Sequence, residues 1–214
     1  MANVSNSPLG KISGKLSNLI IYERNGKICV RSKPERISVP PSKKQIYHRQ
    51  ALSLASSFLK PLRKEIEFGF SSVKGENSKR YGKAVATVIK KAILSEEGEP
   101  RVYPEKILTS RGDLLEPSEA QAHWEGDGLL RLAWRPNAFE GNGLEGDIAF
   151  YVAFDPISKR KWSVKKGAYR KNGSLAVQFP WTDAQEGKFY HYLSFYRVQK
   201  SKIEFSESIC LGII

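Results

Sequence analysis

The hydrophobic period of this chain changes once, across Ser95-Glu-Glu-Gly-Glu-Pro-Arg101. From Ser42 to the break, apolar residues recur every three or four positions; beyond it they alternate. A helical period and a period of two cannot serve the same kind of element, so the switch bounds the fold class. It predicts an α+β chain: a basic N-terminal β-hairpin plus helices, followed by an all-β sandwich. The polar break reads as a boundary between a hairpin-and-helix domain over 1–100 and a β domain over 101–214.

Asn25-Gly26 stands between two strand-like arms, residues 16–23 and 27–31. This pair suits a two-residue type I′ turn, because both central residues need positive φ. Pro34, Pro40 and Pro41 mark an extended connector. From Ser42, a plausible N-cap, the stripe Ala51, Leu54, Ala55, Phe58, Leu62 and Ile66 predicts a helix that Pro61 kinks or splits. A second helix is expected over 77–94. Tyr81, Val85, Val88 and Ala92 line one face, and Lys79, Arg80, Lys83, Lys90 and Lys91 stay in water. Strand-like runs follow at 105–110, 118–124, 129–135, 147–154, 160–165, 174–180, 188–198 and 203–213. Short strands separated by turn residues, with no helix among them, predict an antiparallel sandwich.

Charge is distributed unevenly. Residues 1–64 hold 13 Lys or Arg and two acids, Glu23 and Glu35, so +11 of the chain's net +13 lies there. Such asymmetry speaks to partners rather than to fold. The candidate docking residues are Lys11, Lys15, Arg31, Lys33, Lys43, Lys44, Arg63 and Lys64. They suit an acidic protein partner, or nucleic acid as the alternative, through phosphate contacts. Only Tyr22 and Tyr47 accompany them, too few for a stacking platform.

Reactive constellations are weak. Gly10-Lys-Ile-Ser-Gly14-Lys15 has three residues between its glycines and Leu16 after its lysine. A phosphate-binding P-loop needs four, then Ser or Thr. His48, His123 and His191 have no metal-ligand spacing, and no carboxylate pair stands out for acid–base work. No catalytic residue, cofactor or metal is expected, which leaves a non-enzymatic binding or assembly role. Cys29 and Cys210 read as buried thiols. No apolar run is long enough to span a bilayer and the N-terminus lacks a signal pattern, so a cytoplasmic chain without membrane insertion is expected.

Residues 118–214 resemble a fibronectin type III or related immunoglobulin-like sandwich. The resemblance rests on Leu130-Arg-Leu-Ala-Trp134-Arg-Pro136, Ile148–Phe154, Ser174–Trp181 and Phe189–Val198. It implies a core Trp134 and a tyrosine corner at Tyr190 or Tyr192. The whole chain also resembles a family of uncharacterised bacterial proteins of unknown function. That likeness is carried by Gly10 through Asn18, Asn25 through Pro34, Gln50 through Phe58, and Gly69-Phe70. It implies a basic module before an all-β sandwich, with no reaction and no site residues.

Overall fold

The computed structural model describes residues 2–4, 13–34, 40–73, 75–181, 187–200 and 202–214. They form two compact units, Met1–Ser42 and Lys43–Ile214.

In the first unit, Asn25 and Gly26 adopt φ of 54° and 75°. They join two strands in the turn that their positive φ values favour. The strands of this unit are β1 (Ala2–Val4), β2 (Gly14–Leu16), β3 (Leu19–Arg24) and β4 (Lys27–Ser32). The first arm does not run unbroken from residue 16. The chain reverses at Ser17-Asn18, with Ser17 at φ 50°, and β2 becomes a separate strand beside β3. The sheet order is β1-β4-β3-β2.

The second unit opens with α1 (Lys43–Leu59), α2 (Arg63–Gly69) and α3 (Asn77–Lys91). Pro61 splits the first predicted helix into α1 and α2, because proline donates no amide hydrogen and crowds the preceding turn. The Pro61 carbonyl at the break accepts a hydrogen bond from Lys161 Nζ at 2.6 Å. The same ammonium pairs with buried Glu65 at 2.7 Å. Ala51, Ala55, Phe58, Leu59, Leu62 and Ile66 form the buried stripe, while Leu54 is exposed.

The polar segment expected to act as a boundary between domains is instead a hairpin. β5 (Ile93–Glu96) and β6 (Glu99–Val102) pair antiparallel, and α3 stops early to begin it. Glu97 and Gly98, at φ 51° and 89°, form another two-residue turn with positive φ at both positions.

The later strands are β7 (Ser118–Gly126), β8 (Leu129–Arg135), β9 (Ile148–Phe154), β10 (Lys161–Val164), β11 (Ser174–Gln178), β12 (Tyr190–Gln199), β13 (Lys202–Phe205) and β14 (Ile209–Ile213). They make a three-stranded sheet, β11-β8-β7, and a five-stranded sheet, β10-β9-β12-β13 with β14 also on β12. All these pairings are antiparallel.

Two expected runs differ. Residues 105–110 are not a strand. A 3-10 turn at Pro104–Lys106 leads into a buried strap. The run 203–213 breaks at Ser206–Ser208, because the strap bonds there. Ser110 Oγ donates to the Ser206 carbonyl at 2.9 Å, and Thr109 N donates to Ser208 Oγ at 2.8 Å. The strap passes its neighbours too closely for side chains. A Cβ on Gly112 would lie 1.9 Å from the Phe205 carbonyl oxygen, and one on Gly69 would lie 2.2 Å from that of Thr109.

The domain boundary near residue 100 is not where the structure divides. β9 and β12 bury side chains on both faces. Ala149, Tyr151, Ala153, Leu193 and Phe195 share a core with Leu130, Leu132 and Trp134 of β8. Phe150, Val152, Phe154, Tyr192 and Tyr196 share another with the helices. Phe58 meets Phe154 at 5.0 Å between ring centroids, and Phe68 meets Phe150 at 5.2 Å, both edge-on. Burying each large side chain contributes about 1.5–3 kcal/mol. A separate helical domain would leave that sheet face in water, so helices and sheets form one unit of three layers.

Tyr192 belongs to the helix-side core, and its hydroxyl donates to the Pro104 carbonyl at 2.7 Å. That bond leads away from its own strand's corner, so Tyr192 makes no tyrosine corner. Tyr190 is half-buried. Cys29 and Cys210 carry thiols rather than a disulfide. Among the described residues, no helix is long and apolar enough to cross a membrane.

Candidate anion-docking interface

Strand register gathers cations on one face of the N-terminal sheet. Lys15 pairs with Ile20, and Ile20 with Arg31, so these three residues lie in one row across β2, β3 and β4. Tyr22 pairs with Cys29, and Arg24 with Lys27. Side chains alternate along strands, so Lys15, Arg24, Lys27 and Arg31 share a face with Ile20, Tyr22 and Cys29. Leu16, Leu19, Ile21, Ile28 and Val30 occupy the other face.

All four cations are exposed. The Arg31 guanidinium lies over the Tyr22 ring, 5.9 Å from its centroid. Arg24 and Lys27 stand directly opposite each other, a like-charge pairing that costs roughly 0.2–1 kcal/mol in a sheet. An anion seated on this face would relieve that repulsion.

The candidate cations divide between the two units. Lys15 and Arg31 come together on the sheet face. Lys33 follows β4 and is exposed, and its backbone N–H donates to the Asn18 carbonyl at 2.6 Å. Lys11 lies outside the described residues. Lys43 and Lys44 form an exposed pair in the first turn of α1, which carries no acid. Arg63 is engaged within its own unit: it pairs with Glu67 at 2.8 Å and lies 5.2 Å from the Tyr81 ring centroid. The hydrogen bond to Glu67 raises the Arg63 pKa. Lys64 is exposed. Arg24 and Lys27, basic residues flanking the hairpin turn, join this face because the Asn-Gly turn fixes them opposite one another.

His191 is a site of another kind. It is fully buried, and its Nδ1 lies 2.5 Å from the Tyr151 hydroxyl. Trp124 and Phe179 stand edge-on to its ring, and Nε2 is enclosed without a hydrogen-bond partner. Burial lowers its pKa to about 4 and pushes the Tyr151 hydroxyl well above its ordinary value. The imidazole is therefore neutral in the folded chain at pH 7.

An unfolded histidine, at about 6.5, binds its proton first as pH falls. The contribution of His191 to stability is thus complete above pH 6.5 and is lost progressively down to about pH 4. It amounts to about 3 kcal/mol. Denaturation midpoints measured between pH 7 and 4.5 should show this loss, and His191→Gln should flatten that part of the profile. His48 and His123 are exposed. Among the described residues, no group of three His, Cys, Asp or Glu is placed to hold a metal ion.

The sequence pattern of the family of unknown function DUF6266 matches residues 11–212. The chain belongs to this family. The DUF6266 span covers most of both compact units and every candidate cation from Lys11 to Lys64. The cationic sheet face is therefore within the family's own extent rather than an appendage to it. No curated protein matches the chain.

Proposed function

We propose that this protein is a non-enzymatic docking or assembly protein that engages an acidic protein surface through the cationic face of its N-terminal sheet. The observation that carries the reading is the shared face of Lys15, Arg24, Lys27 and Arg31, with Tyr22 beneath Arg31. Lys15 and Arg31 are about 10 Å apart across two strand spacings, and Arg31 and Lys27 about 13 Å apart along one strand. Ile20, Tyr22 and Cys29 lie between them. Arginine and tyrosine interleaved with apolar residues suit a protein interface, whereas nucleic acid favours a denser cationic track along its phosphates.

The second unit, in this reading, is the assembly body. Its two antiparallel sheets with Trp134 between them support an immunoglobulin-like sandwich, to which the helices add an outer layer.

The test measures binding of the full chain to polyglutamate and to a 20-base-pair duplex at two salt concentrations. Polyglutamate should bind at low salt, and Arg24→Gln/Lys27→Gln/Arg31→Gln should abolish that binding. Duplex binding that the same triple variant abolishes, with a log–log salt slope of about −0.9 per phosphate, would replace this reading with the nucleic-acid one.

A further inference from the structure

The Lys43–Ile214 unit carries a separate cationic crevice of about 390 Å3 between α3 and the strap after Ser110. Val73, Lys83, Ala86, Thr87, Lys90 and Arg111 line it. Lys83, Thr87 and Lys90 follow one another at spacings of four and three, so α3 presents them on one side. Among the described residues, the lining holds three cations and no carboxylate.

Arg111 is held in position. Its backbone N–H donates to the Gly69 carbonyl at 3.1 Å. Its guanidinium donates to Thr87 Oγ1 at 3.4 Å, and that hydroxyl in turn donates to the Lys83 carbonyl at 2.9 Å. Glu207 lies 4.0 Å from Arg111 but also pairs with Lys91 at 3.0 Å. That one carboxylate is thus shared between two cations, Arg111 and Lys91. The Lys90 ammonium has no partner among the described residues.

A second cleft, of about 620 Å3, adjoins the crevice through Val73. Its walls carry both charges: Arg80 and Lys202 against Asp113 and Glu204, with Asn142 beside them. Ser71 Oγ, also on this wall, is buried without a hydrogen-bond partner. Carboxylates there repel a second phosphate but accept hydrogen bonds from hydroxyl or amine groups.

We propose that the crevice binds the phosphate of a small phosphate ester through Lys83, Lys90 and Arg111, with the ester's hydroxyl- or amine-bearing body in the neighbouring cleft. The mixed charge of that cleft is the reason a small ester fits better than a nucleic-acid backbone, whose next phosphate would meet Asp113 or Glu204.

The test is calorimetric titration of the full chain at low salt and pH 7.5. The probes are inorganic phosphate, ribose 5-phosphate, adenosine monophosphate and a 20-base-pair duplex. Inorganic phosphate should bind saturably, and one of the two esters should bind more tightly. Lys90→Gln and Arg111→Gln, both at exposed positions, should each weaken binding about tenfold or more, the loss of a charge-assisted hydrogen bond. Asp113→Asn should reduce the advantage of the ester without changing phosphate binding. Arg24→Gln/Lys27→Gln/Arg31→Gln should leave phosphate binding intact. Three results would overturn the proposal: no saturable phosphate binding, unchanged binding in a folded Lys90→Gln protein, or a duplex that outcompetes both esters at this crevice.

Discussion

Asp147→Asn is expected to destabilise the Lys43–Ile214 unit by about 3–5 kcal/mol, the cost of removing one partner from a buried charge pair. Asp147 and Arg170 are both inaccessible to solvent, and Arg170 Nε donates to Asp147 Oδ2 at 3.0 Å. Burial lowers the Arg170 pKa, against the opposing pull of the Asp147 charge. Arg197, largely buried itself, faces the other carboxylate oxygen at 3.0 Å. One carboxylate thus serves two guanidinium groups.

Asparagine keeps the shape at 147 and can still accept from the Leu144 N–H, which lies 3.0 Å from Asp147 Oδ2 in the parent. The substitution therefore isolates charge from packing. Arg170 would retain Asn137 Oδ1 at 2.5 Å and the Leu115 carbonyl at 2.7 Å, but neither group carries a charge. All four tryptophans lie in this unit, so urea denaturation followed by tryptophan fluorescence reports on it alone. A midpoint free energy within about 1 kcal/mol of the parent would show that the pair is solvated.

Local elements were legible wherever one residue type carries a strong backbone preference. Asn25-Gly26 announced its turn, and Pro61 announced the end of α1. The alternation in Leu129–Arg135 announced β8. What was missed depends on partners distant in sequence. The polar letters of Ser95–Arg101 suggested a linker, yet Glu97-Gly98 supplies positive φ for a turn, and Ile93 and Pro100 are buried.

The run Ile148-Ala-Phe-Tyr-Val-Ala-Phe154 held the sign of the third layer. A strand apolar at every position is buried on both faces. Within a two-layer sandwich, the outer face of that strand would meet water, and here the helices cover it. The break at Ser206–Ser208 has no local signal, because the strap that causes it lies about a hundred residues earlier. No local signal marks Asp147 and Arg170 as a buried pair, because they meet only once β9 and the turn before β11 are folded together.

The candidate interface followed the same logic. Net charge drew attention to the first 64 residues, but only strand register shows which cations share a face. Summation also hid Lys83, Lys90 and Arg111, because residues 65–214 nearly balance in sign. A local cationic crevice and a near-neutral total are compatible when the compensating acids lie elsewhere.

Trp134→Ala is expected to cost about 3–5 kcal/mol, the range for deleting a large aromatic from a packed core. Trp134 is 4 % exposed and meets Phe195 edge-on at 5.5 Å. Its indole N–H donates to the Arg170 carbonyl at 2.8 Å. The Arg170 guanidinium lies 4.0 Å from the Phe195 ring centroid. Trp134 thus supports the aromatic surface on which the buried cation rests and also satisfies that residue's carbonyl. Truncation opens a void and removes the shorter of two hydrogen bonds to that carbonyl, which still accepts from the Gly173 N–H at 3.3 Å.

Trp134→Phe separates the two effects. It keeps most of the ring contact and removes the N–H, so about 0.5–1.5 kcal/mol should remain for the lost hydrogen bond, because the Arg170 carbonyl keeps the Gly173 N–H. The link through Arg170 makes a sharper demand. Trp134→Phe combined with Asp147→Asn should not be additive, because residues in one network couple by about 0.5–3 kcal/mol. Tryptophan fluorescence in urea still follows each variant through Trp124, Trp162 and Trp181. Strict additivity would mean that the indole and the ion pair act independently, and would confine the role of Trp134 to filling space between the two sheets.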